Sequence, residues 1–362
     1  TARSLGITGI TVATVLGDDL LARLPALREA GEPFDHLDTN AGFDELPTDP
    51  LFASAYLGAR PIAEALALGA DVVITGRVAD ASLFLGPLAF AHGWQWDDWD
   101  RLASGILVGH LLECSGQSLG GNYSGDWWAL PRPWDLPYPI ADVADDGTAT
   151  IRKPAGSGGR VSTDTLRHQL LYEVHDPARY LSPDVVADFT SARFEELPDD
   201  RVRVSGVRGL PATDTYKLLL AHHAGWAGES RVAFSWPDAY EKARATAAIF
   251  VQRVAMAGLE VAEWCVEYWG VDALGGPTVP HPGDGCEPPD CVLRVAWRCA
   301  DQRTAGLVGR ELVPLTLSGP AAGMTGAGRG AGSATELLAI WPTLVAKSAV
   351  DPDVRIVHEE VR

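Results

Sequence analysis

Two short apolar runs, ITVATVL at residues 10–16 and DVVITG at residues 71–76, decide how the first half of the chain reads. Both are dominated by β-branched side chains and lack the polar alternation of a half-wetted strand, so each reads as a buried strand. Between them the pattern turns helical, through LLARLPALREAG (20–31) and ARPIAEALALG (59–69). Strand, helix and strand in this order predict a parallel α/β sheet with helices on its faces. Further along, a helix is expected over residues 99–114, then an ordered aromatic and proline-rich loop (121–139) and the strand-like TATIRKP (148–154). The helix TLRHQLLYEV (165–174) follows, with Ser162 or Thr163 as its N-cap. Near residue 190 the texture becomes short strands between turn residues, RFEEL, DDRVRVSGV, TYKLLLAHH and ESRVAFSW, which suits an antiparallel sheet.

The expected architecture is therefore a mostly parallel α/β domain over residues 1–190. A smaller α+β domain with antiparallel strands would follow over 191–362, with a long helix after Pro237, the strand VAEWCVEYWGV and a Gly-rich stretch within 317–341. The chain begins with Thr1 in what reads as the end of a helix, so the N-terminal part of the first domain is expected to lie outside this sequence.

Composition narrows the function. The 362 residues are 46% hydrophobic, enough for real cores, and 29 Lys and Arg against 48 Asp and Glu leave a formal charge of −19. Nucleic acid and anionic membrane surfaces are poor partners for such a chain, because binding them relies on cationic residues displacing counterions. Five cysteines at uneven spacing describe no disulfide framework, and Cys286 and Cys291 lack the further ligands of a zinc site, so no metal is expected. No apolar run approaches the ~18 residues needed to span a bilayer, and a cytoplasmic location is expected.

Chemistry could sit in three places. ITVATVL ends in Gly17, Asp18 and Asp19, and DVVITG runs into Arg77 and Asp80, so the ends of both strands carry charge where open sheets bind ligands. The ordinary alternative is that Asp19 or Asp80 caps the next helix and Arg77 is a salt-bridge partner. In the second place, His110, Glu113, Cys114 and Gln117 share one helical face at i, i+3, i+4 and i+7. Such a face is either the wetted side of a common helix or a buried stripe, and a buried stripe must satisfy itself or surround a ligand. Gly105 and Gly109 favour burial, since glycine in a helix is better explained by close packing or by an approaching ligand. The third place is the turn Gly156, Ser157, Gly158 and Gly159, whose backbone N–H groups could gather a phosphate, or could simply form a turn before a capped helix. The tryptophans clustered over 94–99 and 127–134 could wall an apolar pocket or fill the core.

The strings GADVVITGRVADASL, HLLECSGQ and KPAGSGGRVSTDTLRHQLLYEVHDPARYLSPDVVADF, in that order, resemble the acyclic terpene utilisation (AtuA-type) family over nearly the whole chain. The resemblance implies a role in the breakdown of acyclic terpenes such as citronellol and geraniol, which proceeds through branched acyl-CoA thioesters. It also implies a neighbouring ferredoxin-like domain, as a separate partner here, or a second copy of the chain. On that reading the leading expectation is an enzyme of hydratase or lyase type acting on a terpenoid acyl-CoA. His110 or Glu113 would move protons, Arg77 would orient a carboxylate, and Asp18, Asp19, Asp80 and Gln117 would contact substrate. CoA phosphates would lie at Gly156, Ser157, Gly158 and Gly159, and no cofactor is expected beyond the CoA of the substrate. The alternatives are a non-catalytic acyl-CoA-binding or scaffold subunit and a hydrolase or lyase acting on an unrelated natural product. All three places are expected to open on one hollow.

Overall fold

The computed structural model describes residues 2–274, 287–320 and 333–361. Cys286 and most of the Gly-rich stretch within 317–341 lie outside the described residues. In chain order the elements begin with β1 (Ile10–Leu16), α1 (Leu24–Glu29), β2 (Pro50–Ala55), α2 (Arg60–Ala67), β3 (Val72–Thr75), α3 (Ser82–His92) and α4 (Trp99–Glu113). They continue with β4 (Ile140–Val143), β5 (Ala149–Arg152), α5 (Thr163–Leu171), β6 (Tyr180–Leu181), β7 (Val186–Asp188), β8 (Arg193–Leu197), β9 (Arg201–Ser205), β10 (Arg208–Leu210) and β11 (Thr215–Ser235). The remainder are α6 (Ala239–Met256), β12 (Glu263–Trp269), β13 (Asp290–Cys299), α7 (Gln302–Arg310), α8 (Leu315–Ser318), β14 (Thr335–Ala346), α9 (Lys347–Val350) and β15 (Arg355–Val361).

The chain forms two compact units, one of residues 1–45, 52–220 and 341–362, the other of residues 46–51 and 221–340. Residue 190, where the texture of the sequence changes, lies inside the first. The chain passes from one unit to the other within β2, β11 and β14.

The expectation of a mostly parallel sheet is wrong. β1 and β3 do pair in parallel, Val12 opposite Val72 and Val15 opposite Thr75, as the strand–helix–strand pattern requires. On its other side, however, β1 takes β15 from the far end of the chain in antiparallel register, Ile10 opposite Val361 and Leu16 opposite Arg355. The other described strand registers are antiparallel, in β4-β5-β9-β8, in β10-β7-β6, and in β13 between β11 and β12. The physical reason is that the parallel crossover is not repeated. After β3 the next two helices, α3 and α4, pack on each other, and β4–β5, β6–β7 and β8–β9 are consecutive antiparallel pairs joined by short connections.

In the first unit, α4 is the centre of the core, packed against α3, β7 and β10. Its Gly105 and Gly109 are explained by that packing. A Cβ at Gly109 would fall 2.6 Å from Ala81 O, and one at Gly105 2.6 Å from Leu85 Cδ1, so α3 and α4 approach as closely as their backbones allow. Trp94 is buried in the same core. Asp184 joins the helix starts, with one carboxylate oxygen accepting from Ala59 N–H at 2.7 Å and the other from Ser82 Oγ at 2.6 Å, at the N-termini of α2 and α3. Burial pushes the Asp184 carboxyl above its ordinary range, against the pull of these hydrogen bonds. In the second unit, α6 and α7 cover the face of β13 around Phe250, Leu293 and Trp297.

Candidate functional site

α4 is capped by Asp98, whose side chain accepts from Arg101 N–H, and runs inward through an unbroken series of buried residues from Gly105 to Leu111. A helix apolar all round belongs inside a protein, so its polar stripe is not the wetted side. His110 is 1% exposed, which decides between the two readings of the stripe. Its ring packs against both Tyr180 and Phe189, with centroids at 5.5 and 6.2 Å.

Both ring nitrogens of His110 are engaged. Nε2 lies 3.2 Å from the carbonyl oxygen of Leu170, and a carbonyl oxygen can only accept, so Nε2 carries a proton. Nδ1 lies 2.8 Å from Glu113 Oε1. The proton between them belongs either to an imidazolium beside a carboxylate or to a neutral ring beside a carboxylic acid. In both cases His110 has no free nitrogen, and the chemically available atom of the pair is Glu113 Oε2, which is buried and has no partner among the described residues. Gln169, on α5, fixes the helix from the other side by donating from Nε2 to His110 O at 2.7 Å.

Where α4 ends, the 3₁₀ turn Ser115–Leu119 opens a cleft of about 370 Å³ whose walls include Cys114, Ser115, Gln117, Asn122, Leu136 and Tyr138. Ser115 and Asn122 both sit in the left-handed region, at φ 49° and 54°, an uncommon conformation for residues with a side chain and one that clusters at ligand sites. Asn122 Nδ2 donates to Gln117 Oε1 at 3.1 Å, while Gln117 Nε2 is buried with no partner among the described residues.

The Cys114 thiol is pushed up by burial and by the carboxylates of Glu113, Glu173 and Asp80, against a hydrogen bond with Gln169. A thiol held protonated in this way is a poor nucleophile. The Tyr180 phenol is likewise pushed up, first by burial and then by Glu113, Asp80 and Glu173. Asp80, at the end of β3, therefore shares its electrostatic surroundings with the end of α4. Among the described residues, no group of three or more His, Cys, Asp or Glu side chains is arranged to hold a metal ion.

The strand ends form their own cluster. Asp18 Oδ2 accepts from Arg77 N–H at 2.7 Å, and the Arg77 guanidinium meets Asp80 at 3.5 Å. It also lies 4.1 Å from the ring centroid of Tyr56, which Lys217 Nζ approaches at 5.3 Å. Asp19 accepts from Leu21 N–H at 3.0 Å in a local turn. α3 has Ala81 at its N-cap and no side-chain cap, so Asp80 does not cap it, and Asp184 meets its first turn through the Ser82 hydroxyl.

The glycine turn behaves unlike a phosphate cradle. The N–H groups of Ser157, Gly158 and Gly159 donate to Pro154, Asp135 and Pro131 carbonyls at 3.3, 3.0 and 2.7 Å. Their own carbonyls all point at Lys153 Nζ, at 3.1, 3.3 and 2.8 Å. This is a closed knot around a cation. It packs behind the cleft, since a Cβ on Gly159 would lie 2.7 Å from both Leu119 O and Leu136 Cδ2. Ser162 then caps α5 through a box with Thr165. In the aromatic loop, Trp127, Trp128 and Trp134 are exposed, and Tyr138 reaches the cleft.

The residues that sequence reading missed are Asn122, Gln169, Tyr180, Glu173 and Lys217. Gln169 had a signal, since it stands on the apolar side of α5 between Leu166 and Leu170. Asn122, beside glycines in a loop, read only as a turn residue.

The fold and site define a mixed α/β protein with a buried His–Glu pair in the last turn of a helix and a cleft lined by the residues that follow it. The chain belongs to the acyclic terpene utilisation family AtuA, whose family model matches residues 1–356. No curated protein and no solved structure matches it. Among the described residues no helix is long and apolar enough to cross a membrane.

Proposed function

We propose that the protein is an enzyme of acyclic terpenoid breakdown that acts on a branched acyl-CoA thioester, with Glu113 transferring the proton. The observation that carries this reading is the Oε2 atom of Glu113, buried and unpartnered while its twin is held by His110. Leaving a carboxylate oxygen without a hydrogen bond in a protein interior is costly, and an enzyme recovers that cost when the substrate supplies the missing proton. His110 is the positioning residue. Anchored at Leu170 O, it holds Glu113 in one orientation and balances its charge as the proton comes and goes.

In a hydration, Glu113 takes a proton from water as the water oxygen bonds to the second carbon from the thioester carbonyl, the double-bond electrons move toward that carbonyl, and Glu113 returns the proton to the carbon beside it. In a carbon–carbon cleavage it takes the proton of a hydroxyl on that second carbon, a carbonyl forms there as the bond to the first carbon breaks, and the proton then goes to the first carbon. Both belong to hydratase or lyase chemistry. Arg77, with Lys217 across the Tyr56 ring, takes an anionic part of the ligand, a role the glycine turn is not free to play in this geometry.

The test is incubation of the chain with branched acyl-CoAs, products followed by mass spectrometry. Turnover that is lost in Glu113→Gln and reduced in His110→Ala supports the reading. Turnover untouched by either substitution removes the assignment, and tight binding without turnover points instead to a scaffold subunit.

A further inference from the structure

Two unspent hydrogen-bonding atoms of opposite sense flank the end of α4: an acceptor, Glu113 Oε2, and a donor, Gln117 Nε2. Gln117 is 7% exposed, so its free N–H has no bulk water to fall back on, and its side chain forms part of the cleft wall. The orientation of its amide is set from behind. Asn122 Nδ2 donates to Gln117 Oε1 at 3.1 Å, which turns the nitrogen of Gln117 away from Asn122. The backbone that carries the pair is fixed as well, since Gly120 N–H donates to Gln117 O at 3.1 Å and Gly121 N–H to Gly116 O at 3.0 Å. Asn122 holds its left-handed conformation as part of the same turn.

We propose that Gln117, oriented by Asn122, is the donor that receives the carbonyl oxygen of an acyl ligand seated in the cleft. The proposal rests on the reading of this cleft as an acyl-thioester site and adds the group that recognises the thioester. A carbonyl is the simplest partner for a buried neutral N–H: it accepts without carrying charge into an already acidic site. A hydrogen bond to that oxygen also stabilises the negative charge it takes up as an enolate, before Glu113 returns a proton to the carbon beside the carbonyl.

The experiment compares two probes by calorimetry, 3-methylbutanoyl-CoA and the thioether S-(3-methylbutyl)-CoA, which has a methylene in place of the carbonyl. The wild-type chain is expected to prefer the thioester by roughly two- to tenfold, the span of one neutral hydrogen bond. Gln117→Leu removes the preference. Asn122→Asp also removes it, because a carboxylate at 122 accepts but does not donate. The Gln117 amide then turns its nitrogen to residue 122 and its oxygen to the cleft. Aspartate tolerates the left-handed backbone at this position, so this variant carries the test if Gln117→Leu does not fold. Equal binding of both probes by the wild type, or a preference that survives Asn122→Asp, overturns the carbonyl assignment and leaves the acyl-thioester reading in place. Binding of neither probe overturns both.

Discussion

The end of α4 and the glycine turn that packs behind it look alike in sequence, as small polar segments beside a helix, and are opposites in structure. At the end of α4, Glu113 Oε2 and Gln117 Nε2 are buried and have no partner among the described residues. In the turn, the N–H and C=O groups of Ser157, Gly158 and Gly159 are all spent, the first on carbonyls and the second on Lys153. Glycine richness supplies the backbone freedom a ligand loop needs, but that freedom serves equally to fold a loop onto an internal cation. What separates a ligand site from a structural knot is hydrogen-bonding capacity left over after folding. By that measure the end of α4, and not the turn, keeps hydrogen-bonding capacity for a ligand.

The largest effect expected on the cleft side is on turnover. Glu113→Gln keeps the shape of the side chain and removes the base, so product formation should fall by roughly 10²- to 10⁴-fold while the denaturation midpoint moves little. A variant that lost stability in proportion to activity would make Glu113 a structural residue and break the contrast.

On the glycine side the expected effects are on stability alone. Lys153 has an 11% exposed side chain that serves three carbonyls and Asp200, the last at 3.2 Å. Lys153→Met leaves those carbonyls facing a methyl group and should cost about 2–3 kcal/mol in urea denaturation. Gly158→Ala places a Cβ against the carbonyl oxygen of Arg132, which itself is fixed in the turn. It should cost about 1–3 kcal/mol, the usual penalty of forcing extra volume into packed structure. Neither change should alter affinity for CoA measured on the folded fraction. A loss of CoA affinity at full stability in Gly158→Ala would mean that the turn binds phosphate after all.

How much of this was legible beforehand follows from the range of the interactions. The spacing of His110 and Glu113 is local, and the helical period alone puts them on one face; Gln117 lies past the end of α4, beyond the left-handed Ser115, on a 3₁₀ turn that a continued helical period did not foresee. The β1–α2–β3 crossover is local in the same sense, and it was readable. The partner that makes the first sheet mixed, β15, arrives from residues 355–361, and nothing in ITVATVL distinguishes a parallel neighbour from an antiparallel one on its second edge. The fate of the glycine turn depended on Lys153, only a few residues upstream, but also on carbonyls of Pro131 and Asp135 brought in by the aromatic loop. Asp184 could not be placed at the starts of α2 and α3 for the same reason: it meets helices that lie more than a hundred residues earlier in the chain.

The smallest effect sharpens the cleft side by testing whether the carboxylates truly converge on it. Burial, Glu113, Glu173 and Asp80 all push the Cys114 thiol up, so its thiolate forms only above the pH, about 8.5, at which an ordinary cysteine ionises. Alkylation of Cys114 by iodoacetamide at pH 8 should therefore be slower than that of the exposed Cys265 in the same sample. Neutralising one neighbour, by Asp80→Asn or Glu173→Gln, stabilises the thiolate and should speed the reaction at Cys114 by roughly twofold, a size set by charges acting across partly solvated space. Peptide mass spectrometry reads both sites at once. An unchanged Cys114 rate in Asp80→Asn would separate the end of β3 from the end of α4, and with it the strand-end cluster from the cleft.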